Sequence, residues 1–336
     1  MLHPISFPIT CAQRRVVLNG SMVDCVEDDD ADVRHPQKKF FRTRAHVNVL
    51  NANDFWYPVN PADVPWAEYF PAIAASSSAA AVPMPPVEFV DIGCGYGSLL
   101  FELAKIYPHT PILGIEIREK VVQYVQQSTL ALREEARKLT MAAAAKAAAA
   151  PNDVSAVSAA AAAANAPTFE NVWALKNNAM RFMPNFFAKE QLSKLFFCFA
   201  DPHFKRKNHR KRIVSQALLA EYAYVMKPGG LAYVITDVAD LMLWMVDHFS
   251  SSPLFERLPR EALKADPTVP ALIRTDEGLK VQGNNGNMYI AVFRKRLDPL
   301  APREPPPPND NAAAALAASD AGYTPKEGGE RRGMTW

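Results

Sequence analysis

Residues 87–92 read Val-Glu-Phe-Val-Asp-Ile, a short and mostly apolar run of the kind that forms a buried strand. Gly93, Gly95 and Gly97 follow at alternate positions, where the backbone must turn sharply and let something come close. From Ser98 onward, Leu99, Leu100, Leu103 and Tyr107 recur at helical spacing, and Pro108 ends that helix. A second apolar run, 111–115, closes on Glu116. Strand, glycine turn, helix, strand and acid restrict this region to a nucleotide-binding α/β sheet, doubly wound and mostly parallel.

The spacing also bears on which nucleotide. The dinucleotide fingerprint is Gly-x-Gly-x-x-Gly, with phosphates at the helix N-terminus, whereas this chain has Gly-x-Gly-x-Gly with Asp91 just before it. A carboxylate there repels a pyrophosphate and suits a cation, which favours S-adenosylmethionine over NAD. Glu116, at the end of the next strand, is placed to accept from both ribose hydroxyls. The plain alternative is an ordinary strand-to-helix turn with Glu116 as a surface charge, and both acids together weigh against it.

Much of the chain is not core material. Residues 141–166 hold 16 alanines among 26 positions, broken by Pro151, Asn152 and Asp153. Residues 71–86 form an Ala/Ser/Pro stretch, and the end carries Pro305 to Pro308 and a further alanine run. These segments bury too little apolar surface to organise a core, so they are expected to be an insert, a linker and a tail, with the N-terminal, Ala-rich and C-terminal segments disordered. The expected layout is an extension over 1–33, a basic and aromatic arm with linker over 34–86, a catalytic domain over 87–299 with its insert, and a tail over 300–336.

The four cysteines, Cys11, Cys25, Cys94 and Cys198, have no Cys-x-x-Cys spacing, so neither a disulfide framework nor a metal site is expected and a reducing compartment fits. The start has no signal-peptide pattern and no apolar run reaches spanning length, so a soluble protein without a membrane partner is expected.

The net charge of +2 conceals clustering. Lys38, Lys39, Arg42 and Arg44 interleave with Phe40 and Phe41, a mixture that suits phosphates and stacked bases, or else an arm docked by its phenylalanines. Residues 51–70 read as an aromatic strap, and 171–176 as a strand followed by Asn178, an amide placed either to read an adenine edge or to satisfy a turn. Residues 194–200, Lys-Leu-Phe-Phe-Cys-Phe-Ala, are the strongest buried-strand signal, and Asp201-Pro202-His203-Phe204-Lys205 follows at once. In doubly wound order this strand lies beside the first, so Asp201 should face the donor. Lys205, Arg206, Lys207, Arg210, Lys211 and Arg212 then place six cations in eight positions beside it, which points to a polyphosphate such as RNA. Two closing strands are expected near 254–258 and 288–296, with Thr275, Asp276 and Glu277 in a polar loop between them.

Asp91-Ile-Gly-Cys-Gly-Tyr-Gly, Leu113-Gly-Ile-Glu-Ile-Arg, Asn178-Ala-Met, Asp201-Pro-His-Phe-Lys and Ile235-Thr-Asp-Val, in that order, resemble the eukaryotic tRNA (guanine-N7)-methyltransferases. The resemblance runs from about Lys38 to Pro299, apart from the insert. It implies a class I methyltransferase (Rossmann-like) sheet with an antiparallel closing strand. It also implies methyl transfer from S-adenosylmethionine, leaving S-adenosylhomocysteine, to N7 of the variable-loop guanine at tRNA position 46. A WD-repeat propeller protein is implied as the non-catalytic partner of a heterodimer, and the nucleus as its place, with the cytoplasm second. Carried over residue by residue, donor binding falls on Gly93, Glu116, Arg118, Asn178, Ala179, Cys198, Thr275 and Glu277, beside Asp91 and Gly95, and the catalytic position on Asp201. RNA contacts are expected at Lys38, Lys39, Arg42, Arg44, Lys205, Arg206, Lys207, Arg210 and Lys211. This chain departs from the family's Phe-Pro-Asp-Pro in having Ala200 before Asp201, and in having Cys198 where leucine is frequent. The competing readings are a non-catalytic RNA-binding subunit with a relic pocket, and a methyltransferase acting on another RNA or on a small molecule.

Overall fold

The computed structural model describes residues 34–43, 48–50 and 55–301, together with the backbone of 15–18 and 21–24. In chain order the strands are β1 (Arg15–Leu18), β2 (Ser21–Asp24), β3 (Phe89–Ile92), β4 (Ile112–Glu116), β5 (Val172–Lys176), β6 (Leu192–Cys198), β7 (Met226–Thr236), β8 (Phe255–Arg257) and β9 (Tyr289–Lys295). The helices are α1 (Trp66–Tyr69), α2 (Pro71–Ala79), α3 (Ser98–Ile106), α4 (Glu119–Ala149), α5 (Val154–Ala164), α6 (Ala179–Phe186), α7 (Gln216–Val225), α8 (Ala239–Ser251), α9 (Arg260–Lys264), α10 (Thr268–Ile273) and α11 (Asp276–Gly283).

Seven strands form one sheet in the order β5-β4-β3-β6-β7-β9-β8. The pairs from β5 to β7 are parallel, and β9 runs antiparallel to both β7 and β8. This is the expected doubly wound sheet with an antiparallel closing strand. Adjacent residues in the strands point to opposite faces, which is why Phe196 and Phe197, both fully buried, serve two different cores. Phe197, Val90, Leu195 and Val234 pack against α6, α7, α8 and the strap residue Phe70. Phe196, Phe89, Ile112 and Ile235 pack against α3, the first turns of α4, and α10. Both faces are covered, as the near-continuous apolar reading of the parallel strands requires.

Two expectations are corrected, the disordered Ala-rich segment and the polar loop at 275–277. The Ala-rich segment is helical: α4, 31 residues long, runs on into it as far as Ala149, and α5 folds back against α4. Its helicity comes from alanine's backbone preference rather than from core burial, and the amphipathic start of α4 (Val121, Val122 and Val125 buried) supplies the nucleus that an isolated alanine run lacks. Asp153 caps α5 by accepting from Ser155 N at 2.9 Å and Ala156 N at 3.4 Å, so the Pro-Asn-Asp interruption is a turn between helices. Within 1–33 the described residues pair as the antiparallel β1 and β2, and within the expected linker 71–79 is α2. The polar loop at 275–277 is instead the start of α11, capped by Thr275. The tail beyond 301 lies outside the described residues.

Gly114, in the middle of β4, has no room for a side chain: a Cβ there would stand 2.6 Å from Cys94 Sγ and 2.7 Å from Leu100 Cδ1. Gly114→Val is expected to cost about 1–3 kcal/mol of stability through overpacking, read as a lower urea midpoint at unchanged slope.

Candidate active site

The carboxyl ends of β3, β4 and β6 lie along one edge, because the three strands are parallel. The chain winds from β3 through β4 to β5 and then returns to β6 on the other side of β3, so the crevice opens above β3. Asp91 sits there, 1% exposed, with one carboxylate oxygen lacking a hydrogen-bond partner among the described residues. Burial, and then the neighbouring Glu116 charge, push its pKa up to about 7.

The three glycines that follow divide the work. All are left-handed, with φ of 75° at Gly93, 52° at Gly95 and 79° at Gly97. A Cβ at Gly93 or Gly95 would meet nothing within 4 Å, so these two leave open space over the crevice. A Cβ at Gly97 would stand 2.9 Å from Val125 Cγ1, so this glycine lets α3 and α4 approach. The turn is held to β4 by Gly93 N, which donates to Ile115 O at 2.7 Å.

Glu116 is 4% exposed and fully engaged. One oxygen accepts from Arg118 N at 2.9 Å and Arg118 Nε at 3.0 Å; the other accepts from Gly95 N at 3.2 Å and Arg118 Nη2 at 3.0 Å. These contacts fill the lone-pair sites of a carboxylate. A sugar diol therefore reaches Glu116 only by displacing the Arg118 guanidinium, whose pKa the same bonds hold up.

The remaining donor candidates surround this edge. Asn178 caps α6, accepting from Met180 N at 3.0 Å, and donates to Val49 O at 2.6 Å; Asn177 donates to Trp56 O at 2.8 Å. Asn177 therefore fastens the strap, and Asn178 holds Val49, just before the strap, while capping α6. Ala179 follows, buried, and Cys198 ends β6 with its thiol pKa raised by burial and the Asp91 charge. Thr275 accepts from Gly278 N at 3.2 Å and donates to Leu272 O at 2.9 Å. Next to it, Asp276 N donates to Ser98 Oγ at 3.1 Å, which docks α11 beside the glycine turn. Glu277 is exposed and bonds Lys280.

The arm reaches the same place. Lys38 pairs with Asp276 and stands 5.3 Å from the centre of the Tyr96 ring, while Phe41 packs edge-on against Tyr124, and Tyr124 against Tyr96. Lys38 is thus drawn to the donor side, and Phe41 docks the arm. Docking by the phenylalanines is one of the two readings of this segment, and Phe41 docks while Phe40 stays exposed; the pairing of Lys38 with Asp276 was not foreseen. Lys39 and Arg42 are exposed, and Arg44 lies outside the described residues.

Asp201 follows β6 on a strained turn, flanked by Phe199 at φ 49° and His203 at φ 45°, both left-handed without being glycine. Asp201 accepts from His203 N at 3.2 Å, and the His203 ring nitrogen lies 3.7 Å from its other oxygen. Lys205, Arg206, Lys207 and Arg210 are exposed and Lys211 is half-buried, all of them on or directly before a 3-10 turn, Arg206–Lys211. Arg212 corrects the reading of six outward cations: it is 5% exposed, donates from Nε to Pro202 O at 2.8 Å and stacks 4.7 Å over Trp244.

With that geometry in place, relatives can be compared. The family described as "Putative methyltransferase" matches residues 86–291. The tRNA (guanine-N(7)-)-methyltransferase of Aspergillus oryzae is 40% identical over 326 residues, covering 88% of this chain and 99% of the relative. The enzymes of the same name from Bos taurus and Homo sapiens are each 44% identical, covering 81% and 80% of this chain and 92% of each relative. The chain belongs to the tRNA (guanine-N(7)-)-methyltransferase family. It is a methyltransferase, and the family's class I sheet is the one described above. Among the described residues no His, Cys, Asp or Glu cluster could hold a metal ion, and no helix is long and apolar enough to cross a membrane.

The raised Asp91 pKa has a stability consequence. The folded value, about 7, lies above the ordinary carboxylate value, so the folded state binds the proton more tightly than the unfolded chain. Stability from this group is full below the unfolded pKa and is lost as pH rises through about 7. Asp91→Asn should therefore stabilise the ligand-free chain at pH 8 by roughly 1–3 kcal/mol, an unsatisfied buried polar group's typical cost, and by much less at pH 5. Urea unfolding at both pH values checks this, and equal effects at the two would contradict it.

Proposed function

We propose that this chain transfers a methyl group from S-adenosylmethionine to N7 of the tRNA variable-loop guanine, as the catalytic subunit of a nuclear heterodimer with a WD-repeat propeller protein. The name borne by the full-length relatives supports the reaction and the substrate. The observation that carries the donor assignment is Asp91: a buried carboxylate with an unpartnered oxygen beneath two open glycines suits a cationic ligand that carries no phosphate.

S-adenosylmethionine, when bound, offers a sulfonium-activated methyl group to the in-plane lone pair of N7, so no proton has to leave before attack. The protein's contribution is then positioning and electrostatics. Asp91 pairs with the donor's ammonium group. Arg118 swings aside and Glu116 takes the ribose hydroxyls. Asp201 accepts from the guanine N1–H and amino edge and offsets the positive charge that develops on the purine as N7 is alkylated. Lys205, Arg206, Lys207, Arg210 and Lys211 neutralise phosphates on either side of that base.

Asp201→Ala is expected to lower kcat by about 10²–10³-fold or more, the cost of losing one preorganised electrostatic contact, while donor affinity changes only a few-fold. Loss of donor binding with kcat intact at saturating donor would reverse the assignment. Replacing Lys207 and Lys211 together by alanine should weaken tRNA binding at every sequence and flatten the salt dependence by about one unit of log–log slope per lost contact. Nucleoside mass spectrometry after incubating the chain with donor and tRNA, with and without a propeller partner, tests the reaction; 7-methylguanosine absent from both arms would refute it.

A further inference from the structure

The inward turn of Arg212 shapes a cleft that the proposed reaction does not use. The cleft, about 400 Å³, is lined by Phe204, His209, Arg212, Asp240, Trp244 and Asp247, among others. Its back wall is rigid. Arg212 is buried and bonded to Pro202 O, Trp244 lies 4.7 Å from that guanidinium and donates to Val214 O at 2.9 Å, and His248 stacks on Trp244 with ring centres 4.1 Å apart. The rim is different in kind. Phe204 is 71% exposed, unusual for a large apolar side chain in an ordered turn, and Asp240 and Asp247 are exposed acceptors on α8.

We propose that this cleft receives the nucleobase next to the target guanine, stacked on Phe204 with its exocyclic amino edge toward Asp240 and Asp247. The proposal rests on the tRNA methylation reading above and adds a second base subsite to it. Three observations carry it. Phe204 follows Asp201 by three residues, a span of at most about 11 Å along the chain, so a base on Phe204 is one nucleotide away from a base held at Asp201. An active site that encloses the target base takes it out of its stack, which strips its neighbour of a stacking partner that an exposed phenylalanine replaces. Finally, the walls combine a buried guanidinium, an exposed ring and two carboxylates. Carboxylates in an otherwise basic surface would hinder phosphate binding, but they accept from base amino groups, and cytosine's amino group is a matched donor for Asp.

The test uses the full chain with its propeller partner and three tRNAs: the intact molecule and two carrying an abasic nucleotide immediately 5′ or 3′ of the target guanine. For the unmodified enzyme one abasic tRNA should lose about 5–150-fold in kcat/KM, the stacking range of ~1–3 kcal/mol per base. Phe204→Ala should show a similar loss on intact tRNA but almost no further loss on that abasic tRNA, because both remove the same contact. Phe204→Tyr should restore the discrimination, which a merely structural role for the ring would not predict. Asp240→Asn should change the preference among bases at the flanking position while leaving the abasic tRNA unaffected. Multiplicative losses in Phe204→Ala, or no penalty from either abasic site, overturn the proposal while leaving the methylation reading intact. If the unmodified enzyme fails on intact tRNA, the methylation reading falls and takes this subsite with it.

Discussion

The structure depends on two carboxylates buried side by side at the edge of a parallel sheet. Glu116 is neutralised by Arg118 and satisfied by a backbone N–H that only the left-handed Gly95 turn can present. Asp91 has neither a cation nor a full set of donors. Burying a charge without a partner is costly, and the fold carries that cost through the two fully covered faces of the sheet. Phe196 and Phe197, on the strand next to Asp91, each anchor one of those faces. A ligand that brings positive charge removes the cost. The site is destabilised in a way that favours a cation-bearing donor, which is where departures from satisfied chemistry are expected in a working protein.

The segments around the sheet are tied to this edge rather than to the core. The strap is fastened by Asn177 at the end of β5, the arm by Lys38 to Asp276, and α11 by Ser98 at the start of α3. The first tie joins an irregular segment to the carboxyl end of β5; the other two join the arm to α11 and α11 to the start of α3, directly after the glycine turn. Lys38 and Tyr96 place the arm over the glycine turn itself.

What was legible in the sequence follows from how local each determinant is. The glycine turn, β3, β4 and β6 were readable because period and turn chemistry act within a few residues. The pairing of β6, the strand that leads to Asp201, with β3 was readable because doubly wound order leaves few choices. The alanine segment was misread because burial was weighed and backbone preference was not; α4 begins on core contacts and then continues on propensity alone. The position of Thr275 was misread because a Thr-Asp-Glu run is both a polar loop and an ideal helix start. Arg212 could not be separated from its five neighbours, since a run of like residues carries no sign of which one is turned inward.

That single inward residue organises the basic surface. Arg212 joins the contact of the His209 ring with Trp244 in fixing the orientation of the 206–211 turn relative to Asp201. With its Nε on Pro202 O and its guanidinium on Trp244, the last cation ties the cluster at one end to the residue after the acid and at the other to α8. The strained non-glycine residues Phe199 and His203 flank the acid on either side of that tie, and a fixed setting can sustain them where a free loop could not. The Ala200 substitution bears on this point: proline would have preset the backbone before Asp201, and alanine leaves that task to the Phe199 N bond to Ile235 O and to Arg212. Positioning of the acid thus passes from a local constraint to a long-range one, and the neighbouring cations are held in register with the acid by the same contacts.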